Sequence, residues 1–114
     1  MKLFDAHIHL QEAESLTNLK ELEICAWINC GTSALDWQNV NDLSQKNKKI
    51  IPSYGFHPWF LNSHYKENWK EELTFFLRSQ GSLVGEIGLD YMIDVPRPLQ
   101  KEIFLEQWKI ALDP

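Results

Sequence analysis

Positive charge is scarce in this chain. Eleven Lys and Arg stand against 16 Asp and Glu, for a formal net charge of −5. That excludes a broad electrostatic grip on nucleic acid, which needs clustered cations. An anionic substrate would be held at a point, as it is where bound cations reverse the local sign. No apolar run approaches the length needed to span a membrane. The N-terminus leads directly into a strand pattern, without the basic and apolar segments of a signal peptide. Cysteine is limited to Cys25 and Cys30. They lie five apart on one predicted strand and so face opposite sides, which disfavours a bridge between them. Two unpaired thiols point to a reducing, cytoplasmic setting.

What is present is globular. The hydrophobic fraction is 44% and the aromatic fraction 12%, with no signature of disorder. At 114 residues the chain is at most one domain. Apolar runs of strand length alternate with helical patterns. Lys2–Ala6, Ile24–Asn29, Ile50–Tyr54 and Leu83–Glu86 read as strands. Helices are expected from Ser15, with Leu16, Leu19 and Leu22 in period; from Ser33 to about Lys46, with Ser33 and Asp36 at its start; and from a cap at Ser63 to Ser79. Trp69, Leu73, Phe76 and Leu77 form one face of that third helix. A polar, proline-containing loop over Asp94–Pro98 precedes a last helix, with Phe104, Trp108, Ala111 and Leu112 at helical spacing. Strand–helix alternation predicts an α/β fold with parallel strands and right-handed crossovers. Polar groups gather at the strands' C-terminal ends, where such folds build their sites.

The first strand carries the strongest chemical signal. It reads as buried and apolar, yet Asp5, His7 and His9 share one face. Neutral imidazole is a common ligand for zinc and related cations. Two histidines at i, i+2 after an aspartate therefore read as metal ligands, the alternative being two ordinary strand histidines. Glu86 ends the fourth strand between Gly85 and Gly88, which permit close approach of backbone or ligand. Its two oxygens could bridge two cations; otherwise it is a surface glutamate. His57, in Gly55–Trp59 after the third strand, either donates to a substrate oxygen or packs against Trp59. His64 reads as an exposed residue in a helix's first turn.

Three motifs in this order, Phe4–Leu10, Gly55–Trp59 and Gly85–Tyr91, resemble the TatD family of metal-dependent hydrolases. Gln100, Phe104, Gln107 and Ala111 also fit the family's fourth helix. The resemblance implies a TIM barrel of eight β/α units, of which about four are present. Since a whole barrel takes ~250 residues, residues 1–114 read as the N-terminal half of a longer protein. It implies two divalent cations (Zn, Mg, Mn or Co) and phosphodiester hydrolysis, typically of DNA, by metal-activated water. His7 and His9 match ligands to one metal, and Glu86 the carboxylate that bridges both. His57 matches the histidine beside the phosphate, and Asp5 and Asp90 match positions near the site. Later family ligands and motifs have no counterpart here. Trp59 reads either as a platform for a terminal base or as a packed rim aromatic. Two other readings stand beside this one: hydrolysis of a small ester or amide, and a non-catalytic half barrel whose open sheet edges bind a partner or a second copy.

Overall fold

The computed structural model describes residues 2–12, 24–79 and 81–113. The helix expected from Ser15 lies outside them. Four parallel strands form one sheet: β1 (Leu3–Ile8), β2 (Ile24–Cys30), β3 (Ile50–Tyr54) and β4 (Leu83–Val84), ordered β1-β2-β3-β4. Between and after them come α1 (Trp37–Lys46), α2 (Trp69–Leu77) and α3 (Arg97–Leu112), with short 3-10 turns at Leu10–Glu12 and Pro58–Phe60. Sequential neighbours that pair in parallel, with α1 between β2 and β3 and α2 between β3 and β4, are the geometry of a barrel wall. No helix among the described residues is long and apolar enough to cross a membrane.

Several boundaries differ from the sequence expectation for local reasons. β1 continues to Ile8 and so includes His7, and β2 reaches Cys30. β4 stops at Val84: the Gly85 amide still donates to Tyr54 of β3, but the Glu86 amide turns away to Gly31, just past β2. Ser33 and Asp36 form a turn ahead of α1, where the Asp36 carboxylate accepts the amides of Thr32 and Ser33. Ser63 caps no helix; α2 begins at Trp69 after the 3-10 turn that Pro58 opens. β1 is exposed rather than buried, with Leu3 48% and Phe4 53% accessible. It is an edge strand, and apolar patterning does not reveal which strand takes an edge.

One core unites α1, β3, α2 and α3 through Trp37, Val40, Tyr54, Trp69, Leu73, Phe76 and Ile103. Tyr54 stacks on Phe76 at 5.1 Å, and Phe56 meets Trp37 and Trp69 edge-on. Such pairs add about 0.5–1.5 kcal/mol each beyond area burial. Trp69, Leu73 and Phe76 are buried and Leu77 partly so, as α2's spacing predicts. On α3 the face is different: Gln100, Ile103 and Gln107 are buried, while Trp108 and Leu112 are exposed. The glutamines turn inward because the loops beneath them present unpaired backbone groups.

Burial pushes the Tyr54 hydroxyl from an ordinary pKa of 10.0 up to about 12. A folded state that holds the proton longer than the unfolded chain loses stability as pH rises from about 10 through about 12. The expected loss is on the order of 2 kcal/mol. Urea midpoints compared at neutral pH and near pH 12 should show it in the parent chain, and the drop should be smaller by that amount in Tyr54→Phe.

Candidate metal centre

The strand ends converge at one rim. Nε2 of His7 and Nε2 of His9 lie 3.3 Å apart. Glu86 Oε2 is 3.4 Å from the first and 3.2 Å from the second. Three donors bound tetrahedrally to one cation at ~2.1 Å would be separated by ~3.4 Å, so this triangle is the size of one coordination face. Its protonation fits as well. His9 Nδ1 lies 2.7 Å from the Cys30 carbonyl oxygen, which can only accept, so Nδ1 carries the hydrogen. In the neutral ring Nε2 then offers a lone pair to the centre, and the carbonyl orients the ring as outer partners of metal ligands do. With the hydrogen of His7 likewise on Nδ1, two imidazole lone pairs and a carboxylate oxygen would be aimed at one point, where a divalent cation relieves their repulsion. The fourth tetrahedral position stays open for water, substrate or a further ligand.

Glu86 reaches the rim because its backbone is tied to two neighbouring strand ends. The Gly85 amide donates to the Tyr54 carbonyl and the Glu86 amide to the Gly31 carbonyl. The Ser53 hydroxyl donates to the Gly85 carbonyl at 3.0 Å. Gly55 allows the close approach: a Cβ there would stand 2.7 Å from Gly85 C and Glu86 O. That backbone cannot yield cheaply, so position 55 needs glycine for Glu86 to sit where it does.

His57 stands on the other side of the carboxylate, with Nε2 3.9 Å from Glu86 Oε1. Its Nδ1 accepts the Trp59 amide at 3.1 Å, which leaves the neutral ring's hydrogen on Nε2, facing the site. The loop is anchored by the His57 amide on the Thr32 carbonyl, 2.7 Å, and by the Trp37 indole on the Gly55 carbonyl, 3.0 Å. Asp5 does not join the donors; its carboxylate accepts the His7 amide at 3.1 Å and braces the strand that carries the ligands. Asp90 also stays outside the triangle. Oδ2 accepts the Trp59 indole N–H at 2.8 Å and Oδ1 the Met92 amide. These two donors, the indole first, hold the Asp90 carboxyl below its usual range. His64 is half-buried in the turn before α2, stacked on Phe60 and 2.9 Å from the Ser33 hydroxyl, away from the donor triangle.

Four further residues shape the site; of these only Gln100 and Gln107 are marked in the sequence, through the family resemblance of the last helix. Buried Asn29 accepts the Leu10 amide at 2.7 Å, and Gln11 donates to the Cys30 carbonyl and to Asp36. Gln107 clasps Phe56, accepting its amide at 2.6 Å and donating to its carbonyl at 3.4 Å. Gln100 does the same for Asp90, at 2.8 and 2.9 Å. Polar residues seven apart on a helix, in step with its core face, were the available clue. Cys30 lies with Sγ 3.9 Å from His7 Nδ1. Burial, and then the Glu86 carboxylate, push its thiol up, which keeps it neutral. Beside the triangle is a cleft of about 320 Å³ between the His57 loop and residues 86–90. Larger hollows of about 500 and 690 Å³ lie along α2 and α3, and no metal-donor cluster lines them among the described residues.

Comparison with known proteins agrees with this architecture. The Cut9-interacting protein scn1 of Schizosaccharomyces pombe is 29% identical over 110 residues, covering 91% of this chain and 33% of that protein. The crystal structure of YjjV, a TatD homologue from Escherichia coli K12, superposes with a TM-score of 0.77 at 25% identity, covering 95% of this chain and 46% of that one. The chain thus spans a third to a half of the length of these relatives. The sequence pattern of TatD-related DNases matches residues 4–113, and the chain belongs to that family, whose members are in general metal-dependent hydrolytic nucleases.

Proposed function

We propose that this chain supplies a cation-binding half of a phosphodiesterase centre that acts on DNA. The observation that carries the reading is the triangle of His7, His9 and Glu86 donors with His57 beside it. A divalent cation (Zn, Mg, Mn or Co) held there would supply Lewis acidity and acidify a bound water. The chain's own residues do the rest. Nε2 of His7 and of His9 and Oε2 of Glu86 would hold the ion. Oε1 of Glu86 is left facing the cleft, placed to take up a second cation or a proton from water. The Nε2 hydrogen of His57 is placed to bond a non-bridging phosphate oxygen and to stabilise charge that grows there. His57 and Glu86 are therefore the assigned catalytic groups, with Asp5 and Asp90 as supports. Free thiols at Cys25 and Cys30 favour a reducing, cytoplasmic setting.

The open edges of β1 and β4 among the described residues favour a second, compatible reading, in which those edges pair with further strands, from a second copy or a longer chain. One sample tests both. With Mn²⁺ or Zn²⁺ present, the chain assembled with the strands that complete its sheet is expected to cleave a single-stranded oligonucleotide faster than it cleaves p-nitrophenyl acetate, and chelation should stop it. Turnover of the ester alone would move the assignment to small substrates. Turnover of neither would leave a non-catalytic half barrel. A monodisperse dimer by light scattering would identify the edges' partner as a second copy, and a monomer would exclude that.

A further inference from the structure

An aromatic ring left in solvent usually turns freely, but Trp59 does not. It is 59% exposed, yet its indole N–H is bonded to Asp90 Oδ2 at 2.8 Å. Its main-chain N–H is bonded to His57 Nδ1, and its ring stands edge-on to the His57 ring, centroids 5.2 Å apart. Asp90 is itself immobilised. Its second oxygen holds the Met92 amide, and both its backbone groups are held by Gln100, which is wholly buried. Gln100 thus fixes Asp90, and Asp90 fixes the Trp59 ring. Water could have satisfied the indole equally well. What the arrangement adds is a flat apolar face kept in one orientation, on the cleft that Glu86 and His57 border. A face ordered in advance loses little freedom when a ligand lands on it.

We propose that Trp59 is a stacking platform for the nucleobase next to the scissile phosphate, with Asp90 and Gln100 as its positioning residues. The proposal rests on the phosphodiesterase reading and narrows its substrate to nucleotides with a free base face, as in single strands and frayed ends. Bases inside a duplex have both faces covered by neighbours. Stacking takes any base, so sequence preference should be weak. The Asp90 carboxylate, with both oxygens engaged, reads no base edge.

The test compares dAMP with 2-deoxyribose 5-phosphate, which lacks the base, by calorimetry on the chain with Zn²⁺. The expected result is that dAMP binds about 5- to 150-fold more tightly, the range that one stacked base supplies. Trp59→Ala should erase that preference and leave sugar-phosphate affinity unchanged, while Trp59→Phe keeps most of it. Asp90→Ala should lower dAMP affinity alone. Quenching of tryptophan fluorescence by dAMP should vanish in Trp59→Phe, since Trp27, Trp37 and Trp69 are buried and Trp108, on α3, does not line the cleft. Equal binding of the two ligands to the parent chain, or a preference that survives Trp59→Ala, overturns the platform and leaves the phosphodiesterase reading standing. Binding of neither ligand overturns both.

Discussion

A chain carrying His9→Ala should lose its divalent cation, with affinity down by at least ~100-fold. Adjusting a partner outside the ligand shell of a metal site already costs 10–100-fold, and this change removes one of three donors. His9 is also the best-placed of the three, since the Cys30 carbonyl fixes its ring and hydrogen. After its loss, His7 Nε2 and Glu86 Oε2 remain 3.4 Å apart, a pair that can hold a cation only loosely. Elemental analysis after dialysis, and competition with a chromophoric chelator, measure the effect. His64→Ala is the control, because His64 bonds Ser33 and stacks on Phe60 outside the triangle. Equal metal content in the parent chain and His9→Ala would remove the triangle from consideration as a metal site.

Gln107→Leu should destabilise the fold by about 2–4 kcal/mol, although the new side chain is similar in size and apolar. The substitution strands the Phe56 amide and carbonyl in the core, where each unsatisfied group costs about 1–3 kcal/mol. Phe56 is 1% exposed, so water cannot replace the lost partner without opening the packing around Trp37 and Trp69. A shift in urea midpoint at unchanged slope reads the cost. Because Phe56 directly precedes His57, the His57 ring should also become more mobile, seen as line broadening of its imidazole signals. Gln107→Glu keeps an acceptor for the Phe56 amide but buries a carboxylate, so at neutral pH it should cost at least as much as Gln107→Leu. A loss below about 0.5 kcal/mol in Gln107→Leu would show that the Phe56 backbone finds other partners.

Much of this molecule was legible in the residue order because it is local. β3 spans Ile50–Tyr54 as its apolar run predicts. The face of α2 follows from the spacing of Trp69, Leu73 and Phe76. Alternation along an extended strand puts His7 and His9 on one side before any fold is known. The parallel α/β architecture follows from strands separated by helices. Tertiary structure alone decided three things. The first is how far Glu86 travels: it meets the histidines because its backbone bonds the ends of β2 and β3, and register across a sheet is not written in any one segment. The second is burial of Gln100 and Gln107. Helical periodicity counts side-chain polarity, so it assigned the inward face to Phe104 and Trp108 and could not see backbone groups in distant loops waiting for amide partners. The third is the exposure of β1. Its hydrophobic residues read as interior, but the place of a strand within a sheet depends on which neighbours pair with it. Residue types thus specified which chemistry the chain can carry, and long-range hydrogen bonding placed those groups within reach of one another.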